Sequence, residues 1–203
     1  MATAHAPSRF PRQAIFYKDL GRRRRSEDCG RKTLSLPGDR GGFGKVSGGF
    51  ALCVVSEQIA RLAELPNIVG VKDATAKVDR VSEQRATCGT DFVQLSGEDA
   101  TALGFNAHGG VGCISVSANV APRLCADFQA AMARHDWDGA LALQDRLYPL
   151  HDALFSDSSP GPVKYALTRV RPDMPGDVRL PITWPSESSR AAVDRALEIA
   201  GLV

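Results

Sequence analysis

Residues 65–75 read Leu-Pro-Asn-Ile-Val-Gly-Val-Lys-Asp-Ala-Thr. The part from Asn67 to Lys72 is mostly apolar and does not alternate with polar residues, which is typical of a parallel strand covered on both faces. Hydrophobic spacing predicts a helix before it, over 57–65, and another after it, over 76–88. Lys72 is therefore expected at the carboxyl end of a buried strand, where the chain turns into a helix.

The same alternation of strand and helix continues along the chain. Further strands are predicted over 92–96 and 111–118, and further helices over 98–107 and 119–135. Alternation at this spacing favours parallel βα units and an α/β fold. Beyond residue 135 only helices are predicted: 137–154, interrupted or kinked at Pro149, then 162–170 and 190–201. Residues 57–135 and 136–203 are thus expected to form a βα part and a helical domain.

The first 56 residues have a different character. They carry 11 Lys and Arg against four Asp and Glu, four of the basic residues being the run Arg22 to Arg25. Between Gly21 and Gly49 neither a helical nor a strand period occurs, so this stretch buries too little apolar surface to offset its ordering entropy. We expect residues 1–56 to be a basic, poorly ordered leader without barrel strands. A basic arm that binds RNA or phosphate is the alternative.

Composition excludes several classes of protein. Apolar residues make up 43% of the chain and charged residues 24%, as in ordinary globular proteins, and the net charge of +2 gives no reason to expect nucleic acid as a partner. No apolar run approaches the roughly 20 residues that span a bilayer. The five cysteines and four histidines show no paired spacing of the kind that holds a metal. An odd number of scattered cysteines suits the reducing cytoplasm.

Lys72 is the first candidate for chemistry, because catalytic side chains of parallel α/β proteins lie at the carboxyl ends of strands. A lysine surrounded by apolar walls loses its charge more easily, and its neutral amine can then attack a ketone and form a Schiff base. The alternative is a solvated lysine paired to Asp73 or Glu98. The glycine-rich run 108–112 could cradle a phosphate, but it precedes a strand and fits a tight turn better. His151 is interpreted as a packing or surface residue.

Several separated motifs resemble the 4-hydroxy-tetrahydrodipicolinate synthase (dihydrodipicolinate synthase) family in the same order. They are the residues 65–75, 95–100, 109–120, 149–151, 160–164 and 180–183. The resemblance covers residues 57–203 and corresponds to the second half of that family's chain. It implies part of a (β/α)8 barrel, about three βα units, followed by the helical domain, and usually a homotetramer.

The resemblance also implies the chemistry. The family condenses pyruvate with aspartate semialdehyde in the diaminopimelate route to lysine. Lys72 matches its Schiff-base lysine, Ile114 the residue whose backbone contacts pyruvate, and Gly97 a glycine that keeps the neighbouring strand end open. No metal or organic cofactor is implied, because the protonated imine is itself the electron sink.

Two family motifs find no counterpart in this sequence. A Gly-Thr-Thr-Gly-Glu motif that anchors the pyruvate carboxylate is absent, and the family's proton-shuttling tyrosine and substrate-binding arginine fall on Gly44 and Gly49. The glycine that usually follows Thr75 is replaced by Ala76. We therefore expect an N-terminally incomplete, catalytically impaired copy, in which Lys72 faces water. The alternatives are another pyruvate aldolase of the superfamily, such as a sialic-acid lyase, or a non-catalytic subunit.

Overall fold

The structure, a computed structural model, describes residues 13–17 and 56–203. Three strands, seven α-helices and two short 3-10 helices form in this part of the chain. The strands are β1 (Gln13–Tyr17), β2 (Ile68–Asp73) and β3 (Val93–Ser96). The helices are α1 (Ser56–Ala63), α2 (Asp79–Cys88), α3 (Ala102–Ala107), α4 (Pro122–Ala133), α5 (Trp137–Ala153), α6 (Gly161–Val170) and α7 (Glu187–Ala200), with 3-10 turns at Asp99–Thr101 and Ser117–Asn119.

The three strands form one parallel sheet in the order β1-β2-β3. Tyr17 is opposite Asp73 in the first pair, and Asp73 is opposite Ser96 in the second. The expectation that residues 1–56 supply no strand is therefore wrong, since β1 lies inside that segment. β1 reads Gln-Ala-Ile-Phe-Tyr, a run of only five residues without alternation, which is too short to stand out from its basic surroundings.

The prediction of a strand over 111–118 is also wrong, because this segment forms only a single parallel β-bridge, between Ser96 and Cys113. Backbone hydrogen bonds join this segment to β3 as far as Ile114, whose amide donates to the carbonyl of Ser96. The amides of Val116 and Ser117 then donate to a side-chain carboxylate instead of a neighbouring strand. The segment consequently leaves the sheet and enters a 3-10 turn.

The predicted helices form, with shifted ends. Helix α2 begins at Asp79 rather than near residue 76, because the amide of Thr75 donates to the carboxylate of Asp73 and closes a turn first. The helix predicted over 98–107 is divided into a 3-10 turn and α3. Helix α5 continues through Pro149 without an interruption, and the next residue, Leu150, is fully buried.

Most of the apolar core lies in the helical part of the chain. Buried side chains of α4, α5, α6 and α7 form one continuous cluster, which includes Phe128, Leu147, Val163 and Leu197. A smaller cluster of Ile59, Ile68, Val71 and Phe92 lies between β2 and the helix before it. None of the helices in the described residues is long and apolar enough to cross a membrane.

The loop between β2 and α2 contains a strained residue. Ala76 has φ of +63°, a left-handed conformation in which the Cβ of an L-residue crowds the backbone. Replacing it with glycine removes that crowding, at a smaller cost in unfolded-state entropy.

We expect Ala76→Gly to raise the free energy of unfolding by about 0.5–1 kcal/mol, measured by urea titration of the full chain. Ala86→Gly is the matched control, since Ala86 is exposed within α2. That control should lower the free energy of unfolding by about 0.5–1 kcal/mol. Equal destabilisation by both substitutions would show that Ala76 is not strained.

Candidate active site

Lys72 occupies the penultimate position of β2, opposite Leu95 of β3. Its side chain is half-buried and runs across Gly97, the residue that follows β3. A Cβ on Gly97 would lie 2.5 Å from Cε of Lys72 and 2.7 Å from Cβ of Ala74, closer than real contacts allow. The absence of a side chain at Gly97 therefore creates the space in which the aliphatic part of Lys72 lies. The lysine is less exposed than the sequence led us to expect.

The carboxylate of Asp73 lies on the other face of the sheet, against α2. Its side chain is only 2% exposed and accepts a hydrogen bond from Nε of Arg80 at 2.7 Å. The amide of Thr75 donates to it at 2.9 Å, and Nε2 of Gln84 at 3.4 Å. The alternative in which Lys72 is paired with Asp73 is therefore wrong, because consecutive strand residues face opposite sides of a sheet.

Ile114 is fixed at the same edge of the sheet as Lys72 and Gly97. Its amide donates to the carbonyl of Ser96 at 2.7 Å, and the amide of Gly97 donates to the carbonyl of Asp73 at 2.7 Å. The first bond attaches the segment 113–114 to the end of β3, and the second attaches the residue after β3 to the end of β2. The structure thus brings together the three residues singled out from the sequence.

A buried polar cluster lies next to Ile114, and sequence reasoning missed it. Asp99, 6% exposed, accepts hydrogen bonds from the amides of Val116 and Ser117 at 2.8 and 3.2 Å. The hydroxyl of Ser117 is 2.7 Å from Nδ1 of His151 on α5. His151 is only 5% exposed, so the packing interpretation is confirmed and the surface interpretation is wrong. Its position among leucines of α5 indicated burial but gave no sign of the serine partner.

Part of this cluster lines a cavity of about 240 Å³ between the βα part and the helices. Burial, followed by the charge of Asp99, raises the pKa of the Cys113 thiol to about 12. Burial likewise raises the pKa of Cys125 to about 11. Burial lowers the pKa of His151, against the opposing charge of Asp99. The thiols therefore remain protonated and the imidazole uncharged at neutral pH.

The glycine-rich run 108–112 does not present a phosphate cradle. The amide of Gly109 donates to Asn106, that of Gly110 to Phe105 and that of Val111 to Gln94. These amides are used within the chain, so the interpretation as a tight turn is favoured. In the part of the chain that the structure describes, no three His, Cys, Asp or Glu side chains converge to hold a metal ion.

Two sequence-based predictions fall outside the described residues. Gly44 and Gly49, which the sequence register predicts at the places of the family's tyrosine and arginine, lie between residues 18 and 55. The arginine run Arg22 to Arg25 lies there as well, so the order of the leader and its binding remain predictions.

Curated relatives are similar to this chain from the end of the leader onward. It is 66% identical over 149 residues to 4-hydroxy-tetrahydrodipicolinate synthase of Rhizorhabdus wittichii, covering 73% of this chain and 51% of the relative. It is 63% identical over 147 residues to the synthase of that name from Zymomonas mobilis, covering 72% of this chain and 50% of the relative. The chain spans about half the length of the curated relatives it matches.

A solved structure agrees with these matches. The chain superimposes with a TM-score of 0.69 and 36% identity on chloride-inhibited dihydrodipicolinate synthase from Acinetobacter baumannii, whose structure contains pyruvate. The match covers 73% of this chain and 50% of that one. The profile of the dihydrodipicolinate synthetase family matches residues 51–200. Because this match extends over most of the chain and includes Lys72, Gly97 and Ile114, the chain belongs to the dihydrodipicolinate synthetase family.

Proposed function

We propose that this chain binds pyruvate covalently through Lys72, as part of a Schiff-base aldolase that condenses pyruvate with aspartate semialdehyde to 4-hydroxy-tetrahydrodipicolinate. The observation that carries the proposal is the position of Lys72. Its side chain lies over Gly97 at the carboxyl edge of the sheet, and Asp73 is engaged by Arg80 on the opposite face. The names of the relatives supply the product, one solved neighbour contains pyruvate, and the resemblance to the family supplies aspartate semialdehyde.

The chemistry starts at Nζ of Lys72. The neutral amine attacks the keto carbon of pyruvate, water leaves, and a protonated imine forms. The positive nitrogen withdraws electrons from the adjacent methyl group, so a methyl proton can leave and an enamine results. The enamine carbon then forms the new bond to the aldehyde carbon of the second substrate, whose oxygen takes up a proton, and the imine to Lys72 is restored. The amino group of the second substrate attacks that imine, which closes the ring and releases the free amine of Lys72. This sequence requires neither a metal nor an organic cofactor.

Ile114 and Gly97 are assigned supporting roles in this proposal. The amide of Ile114 is bonded to the carbonyl of Ser96, which leaves its own carbonyl and the adjacent backbone as the groups that would contact pyruvate. Gly97 leaves room for the extended lysine. The role of Gly97 follows from the contacts a Cβ would make there, and that of Ile114 from the family.

The architecture of the family belongs to the same proposal. Residues 57–135 would be the carboxyl-terminal part of a (β/α)8 barrel, and residues 136–203 the helical domain that follows it. We further propose the cytoplasm as its location and the family's homotetramer as its assembly.

We also propose that these 203 residues by themselves turn over slowly. The described residues supply the amine and the segment around Ile114, whereas the family's Gly-Thr-Thr-Gly-Glu motif has no match anywhere in the sequence. Pyruvate can still form an imine without that motif, but its carboxylate lacks the hydroxyl and amides that orient it. We therefore expect the chain to form the imine with pyruvate but to complete the reaction slowly.

The covalent step can be tested with pyruvate and sodium borohydride. We expect reduction to leave a pyruvate-derived adduct on Lys72 of the full chain, located by peptide mass spectrometry, and no adduct at that position in Lys72→Arg. Lys77, exposed and five positions later, is the internal control for unspecific alkylation. Equal labelling of Lys77 and Lys72, or no labelling of Lys72 at millimolar pyruvate, would contradict the proposal.

The close approach at Gly97 gives a second prediction. Gly97→Ala should lower the rate of borohydride trapping at Lys72 by about tenfold or more, because the new methyl group displaces the amine. Gly104→Ala on α3 is the matched control, since its Cβ would be no closer than 3.5 Å to a neighbouring atom. In Gly104→Ala, borohydride trapping at Lys72 should proceed at the rate of the unchanged chain. The same rate in Gly97→Ala would show that Gly97 does not make room for the lysine.

A third prediction concerns turnover. Product formation from pyruvate and aspartate semialdehyde, followed by mass spectrometry, should be about 100-fold or more slower than for the full-length Zymomonas mobilis synthase. Missing proton transfer and carboxylate anchoring are the physical reason. Turnover equal to that of the relative would show that other residues replace both motifs.

A further inference from the structure

A line of buried hydrogen bonds connects the helical domain to the segment that carries Ile114. It begins at Nδ1 of His151 on α5, which lies 2.7 Å from the hydroxyl of Ser117. The amide of Ser117 donates to the carboxylate of Asp99, which also accepts the amide of Val116. His151, Ser117 and Asp99 are 5%, 0% and 6% exposed, so water cannot easily replace one partner when another is removed.

The segment 111–116 depends on these contacts because it forms no strand. On the side of β3 it is attached by backbone bonds that end at Ile114. Beyond Ile114, the amides of Val116 and Ser117 donate to Asp99, and the hydroxyl of Ser117 meets His151. The hydroxyl of Ser115 accepts the amide of Ala118 and lies 3.9 Å from Sγ of Cys125 on α4. Ile114 is therefore held on one side by its bond to β3 and on the other by the bonds of Val116 and Ser117 to Asp99. His151 of α5 adds the helical domain to this second anchor through the hydroxyl of Ser117.

We infer that His151 is a positioning residue, which holds the backbone around Ile114 in place for pyruvate through Ser117. This inference rests on the proposed function, since it assigns pyruvate to the site next to Lys72. The imidazole acts through Ser117 and is given no part in the bond-making steps at Lys72. Its loss should weaken pyruvate binding and leave the chemistry of the amine intact.

Three substitutions separate the hydrogen bond from the packing. His151→Leu fills the same space with an apolar side chain and removes the hydrogen bond to Ser117. His151→Asn retains a polar atom near the position of Nδ1. Ser117→Ala removes the other partner. Ser189→Ala is the matched control, because Ser189 is equally buried at 3% and its hydroxyl is 2.7 Å from that of Ser156, within the helical domain only.

The first measurement is the pyruvate concentration dependence of borohydride trapping at Lys72. His151→Leu and Ser117→Ala should raise the half-saturating pyruvate concentration about five- to tenfold, the equivalent of one buried hydrogen bond, with little change in the limiting rate. His151→Asn and Ser189→Ala should remain within about twofold of the unchanged chain. An unchanged half-saturating concentration in His151→Leu, or an equal rise in Ser189→Ala, would overturn the inference.

The second measurement does not depend on activity. Amide hydrogen exchange at Ile114, Val116 and Ser117 should become about tenfold faster in His151→Leu and stay unchanged in Ser189→Ala. Unchanged exchange in His151→Leu overturns the inference even where trapping succeeds. Absence of any adduct on Lys72 in the unchanged chain would overturn the proposed function. If amide exchange in His151→Leu were still faster in that case, His151 would hold the segment in place, but the role in pyruvate binding would be wrong.

Discussion

The parallel pairing of β2 with β3 is the constraint on which the site depends. It places Lys72 opposite Leu95 and brings Gly97 underneath the lysine side chain. The direction of that side chain follows from the alternation of a strand, which turns Asp73 to the other face. A residue larger than glycine after β3 would collide with the lysine.

Two buried carboxylates hold the segments that leave the sheet. Asp73 receives Thr75 and Arg80, and so fixes the turn from β2 into α2. Asp99 receives the amides of Val116 and Ser117, and so fixes the segment after Ile114. A hydrogen bond to a charged group contributes about 1.5–3 kcal/mol, and leaving a buried carboxylate unpaired is costly. Each carboxylate therefore fixes the local backbone that donates to it.

Helices α4 to α7 support the segment around Ile114 as well as forming the core. Their buried side chains make one cluster, and partly buried Cys113 and Val116 pack against it. The polar contact of His151 with Ser117 enters at the same junction. Residues far along the chain from Lys72 are thereby connected to the backbone beside it.

The sequence by itself determined most of the order of elements, the helical character of the last third and Lys72 as a candidate, because periodicity and local motifs depend on neighbours along the chain. Gly97 and Ile114 became candidates only through the resemblance to the family. Sequence reasoning failed at β1 and at the strand expected over 111–118. Both errors concern pairing between segments distant in sequence, which local patterns do not encode. The tertiary structure alone decided that Asp73 turns to Arg80 and that His151 meets Ser117, since a buried polar group takes whichever partner packing brings within hydrogen-bond distance.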